Sequence, residues 1–337
     1  MTTTTLPTTA LGMDGLEVGA QGLGCMGISE FYGPSDLDES RATLDRALEL
    51  GITLFDTADI YGSGHNEEFL SDFVRANREQ VVLATKFGIV RKADDPAFRG
   101  FDNSPDYIRE SVDGSLRRLG IDVIDLYYMH RRDVRVPIEE TVAVMAELVA
   151  AGKVRALGLS EVTGAELRAA HAVHPIAAVQ SEWSLFSRDV ERSAVPAAAE
   201  LGVAFVPYSP LGRGFLTGSF ATAGELAGRD FRKAMPRFSG DNAARNAALL
   251  APVHSIAAAR GVTPAQVALA WVHARSDAHG LPVVPIPGTR SRTRLAENVA
   301  AATLALTADE LATLEPIAEQ VAGNRYADMS FTSAGRE

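Results

Sequence analysis

The feature that most limits the fold of this chain is a repeat of short apolar runs, each followed by a segment with helix signals. Eight such runs occur: QGLGCMG near residue 21, TLFDTAD near 53, VVLATKF near 81, DVIDLYYMH near 122, VRALGLS near 154, AAVQSEW near 178, VAFVPYS near 203 and LPVVPIPG near 281. Most are apolar almost throughout, the pattern of strands covered on both faces in a parallel sheet. Strand–helix repetition at about 25–40 residues per unit reads as βαβ architecture. Eight units in one chain of this length point to a closed (β/α)8 barrel, an α/β TIM barrel. An open doubly wound sheet is the competing fold. GLGCMG carries little weight as the glycine fingerprint that such a sheet would announce.

Helix boundaries are legible between the runs. In SDLDESRATLDRALELG, Asp36 or Ser35 is a candidate N-cap and Gly51 a stop. Ser104 and Pro105 open the next helix, and Gly120 ends it. IEETVAVMAELVAAG closes on Gly152, and Thr263 with Pro264 starts TPAQVALAWVHARS. The expected plan is a frayed tail over residues 1–10, a single barrel domain over 11–325, and a tail over 326–337 lying on the barrel mouth. Residues 211–262, between the last two runs, break the repeat; loops of that size often act as lids, and a solvated insertion is the alternative.

Composition narrows the class. Hydrophobic residues make up 46% of the 337, enough for a large core. A net charge of −11 argues against general affinity for nucleic-acid backbones or anionic membranes, though not against a local anion pocket. The single cysteine, Cys25, cannot form an internal disulfide and reads as a buried filler. No run approaches the length of a membrane span, and the N-terminus does not read as a signal peptide, so a cytoplasmic protein is expected.

Four residues that can carry proton chemistry sit at the ends of successive runs: Asp56 and Tyr61 in LFDTADIYG, Lys86 in VVLATKFG and His130 in DVIDLYYMHR. On parallel strands all four emerge at one end of the sheet, where such a barrel keeps its active site. Asp56 can hold Lys86 charged, Lys86 can lower the pKa of the Tyr61 phenol, and His130 can hydrogen-bond the oxygen that Tyr61 protonates. That assembly suits carbonyl reduction, with the hydride supplied by a cofactor. Taken singly, each residue has a structural explanation; together they make a site. A metal-dependent hydrolase is set aside, because no HxH pair stands at a strand end.

FDTADIYG, ATKFG, YYMH, GLS, YSPLGRG and IPGTRSRTRLAEN occur in the order seen in the aldo-keto reductases, and from about Gly22 to Asn298 the chain resembles that superfamily. The resemblance implies Tyr61 as general acid/base, Asp56 and Lys86 as its partners and His130 as the group that orients substrate. It also implies NADP(H) bound at the barrel mouth without a Rossmann domain. By the same resemblance Ser160 and Gln180 hold the carboxamide and Tyr208 stacks on the nicotinamide. Ser209, Leu211 and Arg213 run along the pyrophosphate. Gly288, Thr289, Arg290 and Arg294 form an anion pocket for the 2′-phosphate, with Glu297 and Asn298 near the adenosine. Met26 and Asp56 complete the contacts.

Two positions depart from the common pattern. Glu161 follows Ser160 where many relatives have Asn, and is expected to accept from the carboxamide. Gly288 stands where many have Lys, which removes one phosphate partner. Phe31, Ile60, Phe87 and Trp183, with Tyr326 or Met329 from the tail, are the expected substrate pocket, which favours small aromatic or aliphatic aldehydes over sugars or charged acids. The expected activity is NADPH-dependent reduction of aldehydes, and of ketones second. A cofactor-sensing regulatory subunit on the same fold is the alternative. Oligomeric state is not legible in these residues.

Overall fold

A computed structural model describes residues 6–12, 15–33, 35–92, 95, 98, 100–226 and 230–337. In chain order its strands are the hairpin β1 (Thr8–Leu11) and β2 (Leu16–Gly19), then β3 (Leu23–Gly24), β4 (Leu54–Asp56) and β5 (Val82–Phe87). A small hairpin follows, β6 (Ile89–Val90) with β7 (Gly100–Phe101). The last are β8 (Ile124–Met129), β9 (Val154–Ser160), β10 (Ala178–Glu182) and β11 (Ala204–Tyr208). Seven of them form one parallel sheet in the order β11-β10-β9-β8-β5-β4-β3.

The eighth apolar run is not a regular strand, and its sequence explains why. Pro282, Pro285 and Pro287 have no N–H to give to a ladder. The segment still closes the ring. Val284 N–H donates to Phe205 O at 2.9 Å and Ile286 N–H to Pro207 O at 3.0 Å on the β11 side, while Gly22 N–H donates to Pro285 O at 3.0 Å on the other. The closure is tight: a Cβ on Gly24 would lie 2.9 Å from Ile286 O. Gly22 and Gly24 therefore let neighbouring backbones approach, which is a reason for their presence unrelated to a nucleotide fingerprint.

Side chains alternate along each strand. Ala84 and Lys86 of β5 face the barrel interior, whereas Leu83, Thr85 and Phe87 face the helices. The interior is filled by Leu54, Ala84, Leu126, Tyr128, Val206 and Ile286. Leu11, Leu16 and Val18 of the β1–β2 hairpin join that cluster and plug the N-terminal end of the barrel. Residues 8–10 are thus paired strand and not a frayed tail, while residues 1–5 of that expected tail lie outside the described residues.

The helices form where their caps indicated. Asp36 accepts from Asp38 N–H and Glu39 N–H at the start of Leu37–Glu49. Thr263 and Gln266 make a reciprocal capping box at Pro264–His273. Pro105–Leu119 ends on Gly120 at φ +64°, but Ser104 makes no side-chain cap bond, and Asp102 accepts from its N–H instead.

The long insertion is folded onto the barrel. It consists of short turns, including Gly212–Thr217 and Phe231–Ala234, followed by helices Gly240–Ala248 and Ala251–Arg260; residues 227–229 lie outside the described residues. Buried Asn246 pins it to the C-terminal segment, donating to Arg237 O and Ala322 O and accepting from Ala322 N–H. Among the described residues no helix is long and apolar enough to cross a membrane.

Candidate active site

The strand ends bring the four proton-handling residues together. Asp56 closes β4 and Lys86 stands one residue before the end of β5; their side chains form a buried ion pair. Lys86 Nζ also donates to Thr57 O at 2.7 Å, and the second Asp56 oxygen accepts from Gln180 Nε2 at 2.8 Å. Tyr61 opens the turn after β4, with its ring centroid 5.4 Å from Lys86 Nζ. His130 follows β8 and meets the Tyr61 ring edge-on, centroids 5.8 Å apart at 84°. His130 Nδ1 is buried without a hydrogen-bond partner among the described residues.

Burial sets the protonation states. It pushes the Tyr61 phenol well above its ordinary value; the Asp56 charge adds to that rise, and Arg131 opposes it. Lys86 is lowered by burial and supported by Asp56. The expectation that Lys86 depresses the Tyr61 pKa therefore needs correction. With Asp56 beside it, Lys86 does not outweigh desolvation of the phenolate, so the net shift is upward. Burial, with Arg131 and Lys86 nearby, holds His130 well below the usual imidazole range. The site thus presents a neutral phenol and a neutral imidazole.

The expected cofactor residues fall into two groups. Gly288, Thr289, Arg290 and Arg294 lie where the closing segment leaves the barrel, at the start of helix Arg292–Ala300, whose cap is Ser291. Arg290 donates to Tyr32 O at 3.1 Å and Gly33 O at 3.2 Å; Arg294 is exposed, Glu297 half-buried and Asn298 buried. A Cβ on Gly288 would lie 3.0 Å from Gly24 O, so a side chain at that position would crowd the end of β3. Converging guanidinium groups and a helix N-terminus suit a phosphate there. Tyr208 is half-buried at the end of neighbouring β11, followed by Ser209 and Arg213 in left-handed backbone and by Leu211 between them. Met26 packs against Ala58, Ile60 and Tyr61. An aromatic face and an anion pocket on adjacent staves of the ring fit an extended dinucleotide.

Several side chains are engaged differently from expectation. Glu161 offers no free oxygen to a carboxamide: it takes Tyr208 Oη at 2.6 Å, Arg325 at 2.9 and 3.3 Å and Ser333 N–H at 3.0 Å. Arg325 and its neighbours hold the carboxyl well below the ordinary range despite its burial. Gln180 is committed to Asp56, and Ser160 Oγ accepts from Arg131 at 3.2 Å. Arg213 turns inward to Glu182 at 2.9 Å and Tyr326 Oη at 2.6 Å.

The expected substrate pocket divides. Ile60 packs beside Tyr61, and Phe31 is half-buried at the rim against Phe231. Phe87 and Trp183 are fully buried in the layer between strands and helices. Phe87 stacks on Tyr127, and Trp183 packs on Phe205 while its indole donates to Glu191 at 2.9 Å. Neither reaches the mouth, where the expected pocket would put it. Strand alternation turns Phe87 outward because Lys86 points in.

Sequence reasoning missed Arg131, Glu182 and Arg325, the partners of Ser160, Arg213 and Glu161. Arg131 could have been found, since it directly follows a strand-end histidine. Glu182 and Arg325 carry no local signal, because their partners are remote in the chain.

The family model of the Aldo/keto reductase family matches residues 21–319. A glycerol dehydrogenase of Gluconobacter oxydans is 28% identical, with a TM-score of 0.82 over 97% of this chain and 99% of that one. A holo-form aldo-keto reductase of Bacillus halodurans is 27% identical, with a TM-score of 0.72 over 96% of this chain and all of the other. An aldo/keto reductase of Klebsiella pneumoniae, solved with NADP and acetate, is 28% identical, with a TM-score of 0.69 over 94% of this chain and 98% of that one. With the paired Asp56 and Lys86 beneath Tyr61 and His130 on a closed parallel barrel, and a match that spans nearly all of its sequence, this chain belongs to the aldo/keto reductase family.

Proposed function

We propose that this protein is an NADPH-dependent reductase of small carbonyl compounds, aldehydes first and ketones second. The observation that carries the reading is the buried Asp56–Lys86 pair beneath the edge-on Tyr61–His130 contact. When bound, a reduced nicotinamide supplies a hydride to the carbonyl carbon. Tyr61, kept protonated by its burial, gives its proton to the carbonyl oxygen as charge develops there. His130, neutral for the same reason, hydrogen-bonds that oxygen and orients it. Lys86, anchored by Asp56 and Thr57 O, offsets the negative charge left on the phenolate. Arg290 and Arg294 serve the 2′-phosphate of the dinucleotide, and the Tyr208 ring serves its nicotinamide.

The test is oxidation of NADPH with a panel of aldehydes and ketones, with Tyr61→Phe protein alongside. Loss of general acid catalysis predicts a fall in turnover of about 100- to 10,000-fold, with NADPH affinity nearly intact. Turnover preserved in the variant would remove Tyr61 as the acid. Tight NADPH binding with no turnover of any carbonyl would favour a cofactor-sensing role.

A further inference from the structure

Among the described residues five arginines are buried: Arg131, Arg132, Arg213, Arg275 and Arg325. Four have a carboxylate partner. Arg132 faces Glu166, Arg213 faces Glu182, Arg275 faces Glu315 and Arg325 faces Glu161. Arg131, 7% exposed and next in sequence to His130, has none within ion-pair distance among the described residues. Glu161 supports the Arg131 charge from beyond ion-pair distance, so no carboxylate is bonded to the guanidinium itself.

The hydrogen bonds of Arg131 show which part of it is available. Nη1 donates to His130 O at 2.7 Å and to Ser160 Oγ at 3.2 Å. Those two bonds use both Nη1 hydrogens and fix the plane of the guanidinium. The Nε and Nη2 hydrogens make no bond to the described residues, and neither nitrogen is sealed from solvent. Nε–H and Nη2–H point along one edge, the fork that takes a carboxylate in two parallel bonds. The rings of Tyr208 and Phe331 lie 5.8 and 5.9 Å from Cζ and hold the group in place. It is also close enough for its charge to act on the Tyr61 phenol.

We propose that Arg131 is a specificity-determining residue that receives the carboxylate of a short oxo acid, whose carbonyl lies between Tyr61 and His130. The inference rests on the reductase reading above. It replaces the expectation of a neutral apolar substrate with an anionic one. In the reaction, hydride from the reduced nicotinamide forms a C–H bond at the carbonyl carbon and the Tyr61 proton passes to its oxygen, giving the hydroxy acid; the carboxylate is unchanged.

The experiment compares 4-oxobutanoate with butanal, which has the same chain length and no charge. Two charge-assisted hydrogen bonds predict a kcat/KM ratio of roughly 10- to 100-fold in favour of the acid, carried mainly by KM. Arg131→Gln should bring the ratio close to one. Arg131→Lys, a point charge without the fork, should fall between. A ratio near one in the unaltered protein, or one that Arg131→Gln leaves intact, overturns the proposal.

Calorimetric titration of succinate into the NADP+-loaded protein reads the same site without turnover. Binding that Arg131→Gln abolishes supports it, and no binding overturns it. If neither carbonyl is reduced but succinate binding depends on Arg131, the reductase reading fails and the anion site stands. If Arg131→Gln weakens NADP+ and leaves succinate unaffected, the free edge serves a cofactor phosphate and the proposal is wrong. Arg131→Lys keeps the comparison usable should the Gln variant not fold.

Discussion

Arg325 and Glu161 are 164 residues apart in sequence and form an ion pair at 2.9 Å, with side chains 1% and 0% exposed. The pair ties the C-terminal segment to the end of β9, where Ser160 stands, and Glu161 also accepts from the Tyr208 hydroxyl at the end of β11; Ser333 and Arg336 add bonds to Glu161. Breaking such a pair from one side strands the other charge, at a cost of about 3–5 kcal/mol. Arg325→Met should lower Tm and expose the tail to protease, and adding Glu161→Gln should recover part of the loss. An unchanged Tm and an intact tail would contradict this. Because Glu161 is held below its ordinary range, its contribution is present above about pH 4.3 and lost as pH falls further, so the tail should loosen in acid.

The Asp56–Lys86 pair allows stability and catalysis to be separated. Lys86→Met leaves Asp56 buried with Gln180 as its remaining side-chain partner, and should cost both stability and turnover. In Asp56→Asn/Lys86→Met no charge is left stranded, so thermal stability should return toward the parent value. Turnover should stay at least about 100-fold down. Recovery of both together would mean that the pair is only a strut.

Burial keeps the phenol protonated and the imidazole neutral across the middle of the pH range. For carbonyl reduction kcat/KM should therefore be flat from about pH 6.5 to 9. The fall due to Tyr61 ionisation belongs at strongly alkaline pH, since its pKa is raised. An inflection near the ordinary histidine value that disappears in His130→Gln would show that His130 titrates.

Arg294 is exposed at the start of its helix and makes no ion pair among the described residues. Arg294→Ala should weaken NADPH roughly five-fold or more and leave NADH within about two-fold, measured by quenching of protein fluorescence. Equal losses for both cofactors would remove its role at the 2′-phosphate.

His273 lies behind the barrel wall, its Nε2 3.3 Å from Gln21 Oε1, and burial takes its pKa from 6.5 to about 4. The unfolded chain accepts a proton that the folded chain refuses. The stability tied to this group is thus complete above pH 6.5 and lost as pH falls toward 4, on the order of 2–3 kcal/mol. His273→Gln should flatten Tm against pH over that window. An unaltered slope would assign the acid limb to other groups.

Much of this protein was legible because it is written locally. Apolar runs at regular spacing, Asp36 and Thr263 before helices, and Gly120 after one depend on near neighbours, so the sequence by itself determined the strand–helix order and the barrel class. The same logic placed Asp56, Lys86 and His130 at one end of the sheet, because parallel strands expose their ends together. It failed where one residue of register mattered. Lys86 and Phe87 are adjacent, and only the packed barrel shows that the first enters the interior and the second leaves it. It failed also at the eighth run, a proline-rich segment that closes the ring through four backbone hydrogen bonds without forming a regular strand. The protonation states of Tyr61 and His130, the engagement of Glu161 by Arg325 and the free edge of Arg131 were decided by tertiary structure alone. Each depends on how much water and which charges surround a group, and those surroundings come from parts of the chain too distant for any local pattern to record.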